Sequence, residues 1–319
     1  MGDNLRMRDG ASMNTLFSKR AIPAILATSA ALLIAAATLV AQPPAGAPQG
    51  KGGAPGGGQG KGGGGRGPVN PLLNGNPYVS PAEVKGGPIL RLPDGKPDLQ
   101  GAWSQRTAGN TMSMYSVEKT AGHQKSGIPR TAGVIIDPPD GVIPYQPWAR
   151  EKATDISDNH MVEESDAHCF MGGVPHSMYT PFGMRIIQPP DAVVMTWEFM
   201  HSYRIIPMDG RPHIDPSIHL YEGDSRGHWE GDTLVIDVTN QVGRTWLDQS
   251  ANIHSDAIHV VERITPIDSN NLKYEATITD PKVYTGPWTI QFAFSRILDK
   301  DFEHLEFACI EGEADVKQH

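Results

Sequence analysis

The segment "NIHSDAIHVVER" (252–263) sets His254, Asp256, His259, Glu262 and Arg263 within twelve residues. Imidazoles and carboxylates at this density are the parts of general acid–base chemistry: a group that carries a proton and a group that orients it. A period of two splits the segment. His259, Val261 and Arg263 fall on one strand face, while Ile258, Val260, Glu262 and Ile264 fall on the other. A carboxylate among aliphatic neighbours is either paired with a buried cation, such as Arg204 or Arg296, or has a raised pKa. The first case makes Glu262 structural and the second makes it an acid or base; both stay open here. His254 and His259 are five apart and cannot point the same way from a regular strand. Ser255, His254 and Asp256 are too close in sequence to converge as a triad, and no G-x-S-x-G elbow is present.

A second stretch, "GDSRGHWEGDTLVID" (223–237), is rich in glycine and carboxylate. It has no Walker-type Lys and no following helix to receive a phosphate, and it lacks the ligand spacing of a calcium loop. Glu230-Gly231-Asp232 is better read as a tight turn with Gly231 at positive φ. In the strand that leaves it, Leu234, Ile236 and Val238 share one face, and Thr233, Val235, Asp237 and Thr239 the other. Asp237 is a catalytic candidate if its face lines a cavity, and an ordinary carboxylate if it meets solvent.

The stretch "EFMHSYRIIPMDGRPHID" (198–215) adds Glu198, His201, Tyr203, Arg204, Arg211 and His213 around an expected hairpin. Four residues are thus candidates for catalysis: His254 or His259 as proton carrier, with Glu262 and Asp237 as orienting or acid/base groups. Arg204 is the expected anion partner. Tyr203, His201, Trp229, Trp246 and Tyr274 are the expected substrate contacts. There is no H-E-x-x-H or C-x-x-C spacing, so neither a metal nor a cofactor is expected. A metal site would need distant residues such as His201 or His213.

These residues must be carried by strands. Beyond residue 68, Pro and Gly punctuate the chain every 8–15 residues, and the runs between them are β-branched or aromatic. Strands are expected at 133–137, 184–188, 192–200, 202–207, 233–239, 257–265, 271–279, 287–296 and 302–310. One or two short helices are expected within 147–168. In 287–296, Trp288, Ile290, Phe292 and Phe294 share a face. Gly101-Ala102-Trp103 looks like the first-strand signature of lipocalin-type barrels, in which the Trp closes one end. The fold class is therefore mainly β, an antiparallel lipocalin-like barrel, with a β-sandwich as the alternative. No internal repeat of 20–50 residues is visible.

The N-terminal part differs in composition. Residues 21–41 carry no charge and follow Lys19-Arg20, the pattern of a signal peptide or, if uncleaved, a membrane anchor. Residues 42–68 are a Gly/Pro-rich flexible linker. The single β-rich domain is 69–319. It holds all twelve histidines, and its 20 Lys/Arg against 34 Asp/Glu give a net charge of −14 with His neutral. Such a surface repels phosphate backbones, which argues against nucleic-acid partners. The two cysteines, Cys169 and Cys309, are expected to form one disulfide in an exported protein; two buried thiols or one nucleophilic Cys are the alternatives.

Four segments together resemble a large family of exported bacterial β-rich proteins: "PDGKPDLQGAW" (93–103), "GHWEGDTLVIDVTN" (227–240), "WLDQSANIHSDAIHVVER" (246–263) and "DPKVYTGPW" (280–288). Ile214 departs from that pattern, where a proline is more usual. The resemblance implies a periplasmic or extracellular location and one β-rich domain, and it implies no reaction. The residues themselves point to an exported enzyme doing cofactor-free acid–base chemistry, of lyase, hydratase or isomerase type, on a small aromatic molecule. A non-catalytic ligand-binding barrel and a metal-dependent enzyme are the alternatives.

Overall fold

The computed structural model describes residues 80–106, 113–115, 133–180 and 182–309. The signal-like segment and the linker lie outside these residues. Ten strands follow in order: β1 Gly101–Gln105, β2 Ile135–Asp137, β3 Met184–Ile187, β4 Ala192–Trp197, β5 Tyr203–Pro207, β6 Asp224–Glu230, β7 Thr233–Thr239, β8 His259–Asp268, β9 Asn271–Thr279 and β10 Trp288–Arg296. The helix α1, Pro147–Asn159, lies where helix was expected, and two short 3-10 turns follow it within 161–168.

Hydrogen-bonded neighbours run β5-β4-β3-β1-β10-β9-β8-β7-β6, all antiparallel, with the short β2 on β10. The sheet is nearly closed into a barrel of the lipocalin-like kind. Alternation sets its inside: Val260, Glu262 and Ile264 of β8, Leu272, Tyr274, Ala276 and Ile278 of β9, and Ile290, Phe292 and Phe294 of β10 are all buried. Closure between β5 and β6 is made by side chains, not by a ladder. Arg204 of β5 donates to Ser225 Oγ of β6 at 2.9 Å. Gly227 of β6 lets β5 come close, since a Cβ there would lie 2.9 Å from Ile206 Cγ2 and strike the Met208 sulfur.

One end is sealed by Trp103, fully buried, with the Arg296 guanidinium 4.2 Å from its ring centroid. Arg296 also donates to the carbonyls of Gln100 and Ser269, which ties β1 to the β8–β9 turn. The other end is capped by residues from 143–180 and 240–258, where Tyr145 packs on Tyr284 and Tyr179 on Phe292.

Three strand expectations are corrected. Of the strand expected at 302–310, the described residues 302–309 form none: the Leu305 N–H is taken by Glu198 Oε1 at 2.7 Å and the Phe307 N–H by the Glu198 carbonyl, so they run as irregular chain. The strand expected at 192–200 ends at Trp197, because Phe199–His201 turns back with Met200 and His201 at positive φ. Conversely, β6 was not expected; its Asp, Ser and Gly have low strand propensity, and its pairing with β7 and the seam with β5 decide its conformation. Gly231 sits in the β6–β7 turn at φ 59°, as expected.

Candidate functional site

The predicted residues separate into three places. On the outer face of β7 and β8, His259 Nε2 lies 2.8 Å from Asp237 Oδ1. His213 Nε2 approaches the same oxygen at 3.4 Å. The other ring nitrogen of His213 is 2.7 Å from Asp224 Oδ2, and Arg226 donates to Asp224 Oδ1 at 2.7 Å. The side chains of Asp237 and His259 are 43% and 42% exposed, so this face looks to solvent and not into the barrel. His213 arrives from the loop between β5 and β6, which is held against the outer face where Arg226 Nε donates to the Pro212 carbonyl.

Inside the barrel, Glu262 is fully buried and takes both Arg204 nitrogens, at 3.2 and 2.5 Å, plus the Tyr274 hydroxyl at 2.9 Å. The ion-pair reading of Glu262 is thus the geometry observed. Burial works against the Arg204 charge, but Glu262 beside it holds its pKa above the ordinary value. Next to this network stands Glu222, nine-tenths buried, beside the Ser177 hydroxyl and the Gly173 amide. Burial raises its pKa; the Arg204 charge, the Ser177 hydroxyl and the Gly173 amide act in the opposite sense.

Beneath the cap, a 3-10 turn of His176–Tyr179 plugs the barrel. Its Met178 sulfur is 3.9 Å from Arg204, and the Tyr179 ring stands edge-on to Phe292. His176 is fully buried, its Nδ1 3.0 Å from the Trp246 carbonyl and its Nε2 3.8 Å from Asp166 Oδ2. Burial lowers the His176 pKa and raises Asp166 to about 6. Glu164 is pushed up to about 7 by burial and by the Asp166 charge. Asp248, also raised by burial, accepts from the Met114 amide and the Asn252 side chain at 2.8 and 2.7 Å.

The structure therefore brings together Asp237 with His259, and Arg204 with Glu262 and Tyr274. His254 is apart from both pairs. It is buried in the cap, bonded to Thr245 Oγ1 at 2.9 Å and near the Ser255 carbonyl, with its pKa lowered by burial. Ser255 and Asp256 turn elsewhere, to Asp280 and Lys282. Tyr203 is exposed on the outside of β5, and exposed His201 lies 3.4 Å from the Phe307 carbonyl. Trp229 is half-buried beside Lys96, and Trp246 lies in the cap. Glu164, Asp166, His176 and Glu222 were missed in the sequence, where none sits in an alternating run.

Among the described residues no group of three or more His, Cys, Asp or Glu is arranged to hold a metal ion. Cys169 and Cys309 are joined in a disulfide, with Cα atoms 5.5 Å apart. Among the described residues no helix is long and apolar enough to cross a membrane. Comparison of the chain with models of known protein families, with curated proteins and with solved structures found no match.

Proposed function

We propose that this chain is an exported barrel protein that moves protons on a small molecule at the outer-face pair His259–Asp237. The observation that carries the reading is the convergence of two imidazole Nε2 atoms on one oxygen of Asp237, with Asp224 holding His213 from behind. When Asp237 accepts from the Nε2–H of His259, the lone pair of that ring is on Nδ1, away from the carboxylate. A half-exposed imidazole in a fixed tautomer is a general base for a C–H or O–H next to an electron-withdrawing group. Elimination, hydration and isomerisation are the reaction types served by such a base without a redox partner. Export is supported by the uncharged run at 21–41 and by the disulfide.

The test is to replace His259, Asp237 and His213 singly by Gln, Asn and Gln. Each variant is then screened against a panel of small aromatic and hydroxylated compounds for deuterium uptake and product by NMR. The expected loss for His259→Gln is about 10²–10⁴-fold. Turnover that survives all three changes would sink the assignment. A ligand-binding barrel without catalysis is the second reading, favoured by the buried polar group of Arg204, Glu222 and Glu262 inside.

A further inference from the structure

Between helix α1 and the disulfide, residues 161–168 contain two 3-10 turns. Their outer side is exposed at Met161 and Val162, and their inner side carries the buried Asp166. The segment has a fixed point at each end: α1 stops at Asn159, and Cys169 is tied to Cys309. Beneath it lies the plug turn His176–Tyr179, which is pinned on both sides. The Gln241 side chain bonds the Val174 amide and carbonyl at 2.8 and 3.0 Å, and the Gln105 side chain donates to the Thr180 carbonyl. The segment above is held by longer contacts. They include Gln249 Nε2 to Asp166 Oδ2 at 3.3 Å, the Trp246 amide to Ser165 Oγ at 3.5 Å, and His176 Nε2 to Asp166 Oδ2 at 3.8 Å.

The last of these contacts depends on a proton. The Trp246 carbonyl can only accept, so His176 Nδ1, 3.0 Å from it, carries hydrogen and the neutral ring has its lone pair on Nε2. That lone pair and Asp166 Oδ2 attract only when a proton lies on one of them. Without it, a carboxylate oxygen faces a lone pair in a buried place. We propose that residues 161–168 are a pH-sensitive flap, latched over His176 by the proton between Asp166 and His176 and released when that proton leaves.

The groups around the latch add to its sensitivity. From the flap itself, Glu164 brings a second buried carboxyl, which accepts from the Asp166 and Ala167 amides at 3.0 and 2.8 Å. From the 246–254 stretch, Asp248 brings a third acid and His254 a second imidazole; from the plug, Tyr179 stacks on His176. The other charged groups nearby are engaged elsewhere: His160 with Glu163 on the outer side, His168 with the Val162 carbonyl, and Arg244 over the Phe170 and Tyr221 rings. Burial lowers the His176 pKa and so leaves the proton with the acid. Burial raises Asp166 to about 6, and burial with the Asp166 charge raises Glu164 to about 7. Both lie above their unfolded values, so the latch is complete below about pH 4 and is lost as pH rises through 6 to 7. The flap thus shuts in acid and opens towards neutral pH, baring the plug turn. This inference does not depend on catalysis at His259.

The test is amide hydrogen–deuterium exchange of the full-length protein from pH 5 to pH 8, corrected for the intrinsic pH dependence of exchange. Flap opening, read at the amides of 163–170, should rise about tenfold or more from pH 5 to pH 7 and then level off. The amides of β8 and β9 should stay at least about tenfold better protected at every pH, because the flap opens without the barrel. In the double variant Glu164→Gln with Asp166→Asn, neutral side chains replace both acids, and the Asn amide can still donate to His176 Nε2. The rise should then be lost. Circular dichroism is the folding control. If the double variant does not fold, Asp166→Asn alone should keep the flap better protected than wild type at pH 7. A flat wild-type profile overturns the proposal, as does an undiminished rise in the folded variant. Flap amides that exchange only as fast as those of β8 and β9 overturn it too, since the segment then opens only with the whole domain.

Discussion

Asp237 and Glu262 lie one register step apart on adjacent strands and face opposite sides of the same sheet: Asp237 is paired across from Val261, and Glu262 across from Ile236. A single residue of register thus sends one carboxylate to solvent and an imidazole, and the other into the barrel and a guanidinium. The two acids, close in the sheet, have no common chemistry.

Glu262→Leu alone strands the Arg204 charge in the interior and is expected to cost about 3–5 kcal/mol. The double change Glu262→Leu with Arg204→Met removes both charges and should recover most of that loss. Urea unfolding of the two variants measures it; an equal loss in both would mean that the pair is not the stabilising feature.

Asp237→Asn should leave stability within about 1 kcal/mol of the parent, because both partners in its pair are about half exposed and such pairs are weak. If His259 is the base, the same change lowers turnover by fixing the imidazole less well. A large drop in Tm would show instead that the outer pair holds the sheet together.

Glu164 sets a pH dependence with a definite sign. Its folded pKa, raised to about 7, lies above that of an unfolded Glu, so the folded state holds the proton longer. Its contribution is full below about pH 4 and is lost as pH rises through 7, at up to roughly 1.4 kcal/mol per unit. Asp166, raised to about 6, acts in the same direction. His176 and His254 act oppositely: their folded pKa values are lowered, so their contribution is present above about 6.5 and lost as pH falls. Glu164→Gln removes only the first effect. The variant should gain on the parent from pH 5 to pH 8 in chemical unfolding, and a constant gap would contradict the burial of this acid.

Replacing both Cys169 and Cys309 by Ser opens a link between positions 140 apart in sequence and should lower stability by about 2–5 kcal/mol. Reduction of the parent should reproduce the loss. Guanidinium unfolding with and without reductant is the measurement.

Gly227→Ala puts a methyl group against Ile206 and Met208 at the β5–β6 seam. Overpacking there is expected to cost about 1–3 kcal/mol, less if the Met208 side chain swings away. Faster amide exchange confined to β5 and β6 would locate the damage at the seam.

The sequence by itself determined which face each residue takes wherever apolar and polar residues alternate. Val260, Glu262 and Ile264 are inside as their spacing required, and Trp103 is buried at a barrel end. A period of two is a local property, so it is legible in a single segment. What only the tertiary structure decided is which residues meet. Arg204 reaches Glu262 across 58 positions because the barrel curls β5 back towards β8, and no local pattern encodes that curl. The face of Asp237 was undecided because Thr233, Val235 and Thr239 are compatible with either side. Glu164, Asp166 and His176 escaped notice for another reason: they sit in or beside short 3-10 turns, where burial is imposed by packing against Trp246 and Asp248 and leaves no periodic trace.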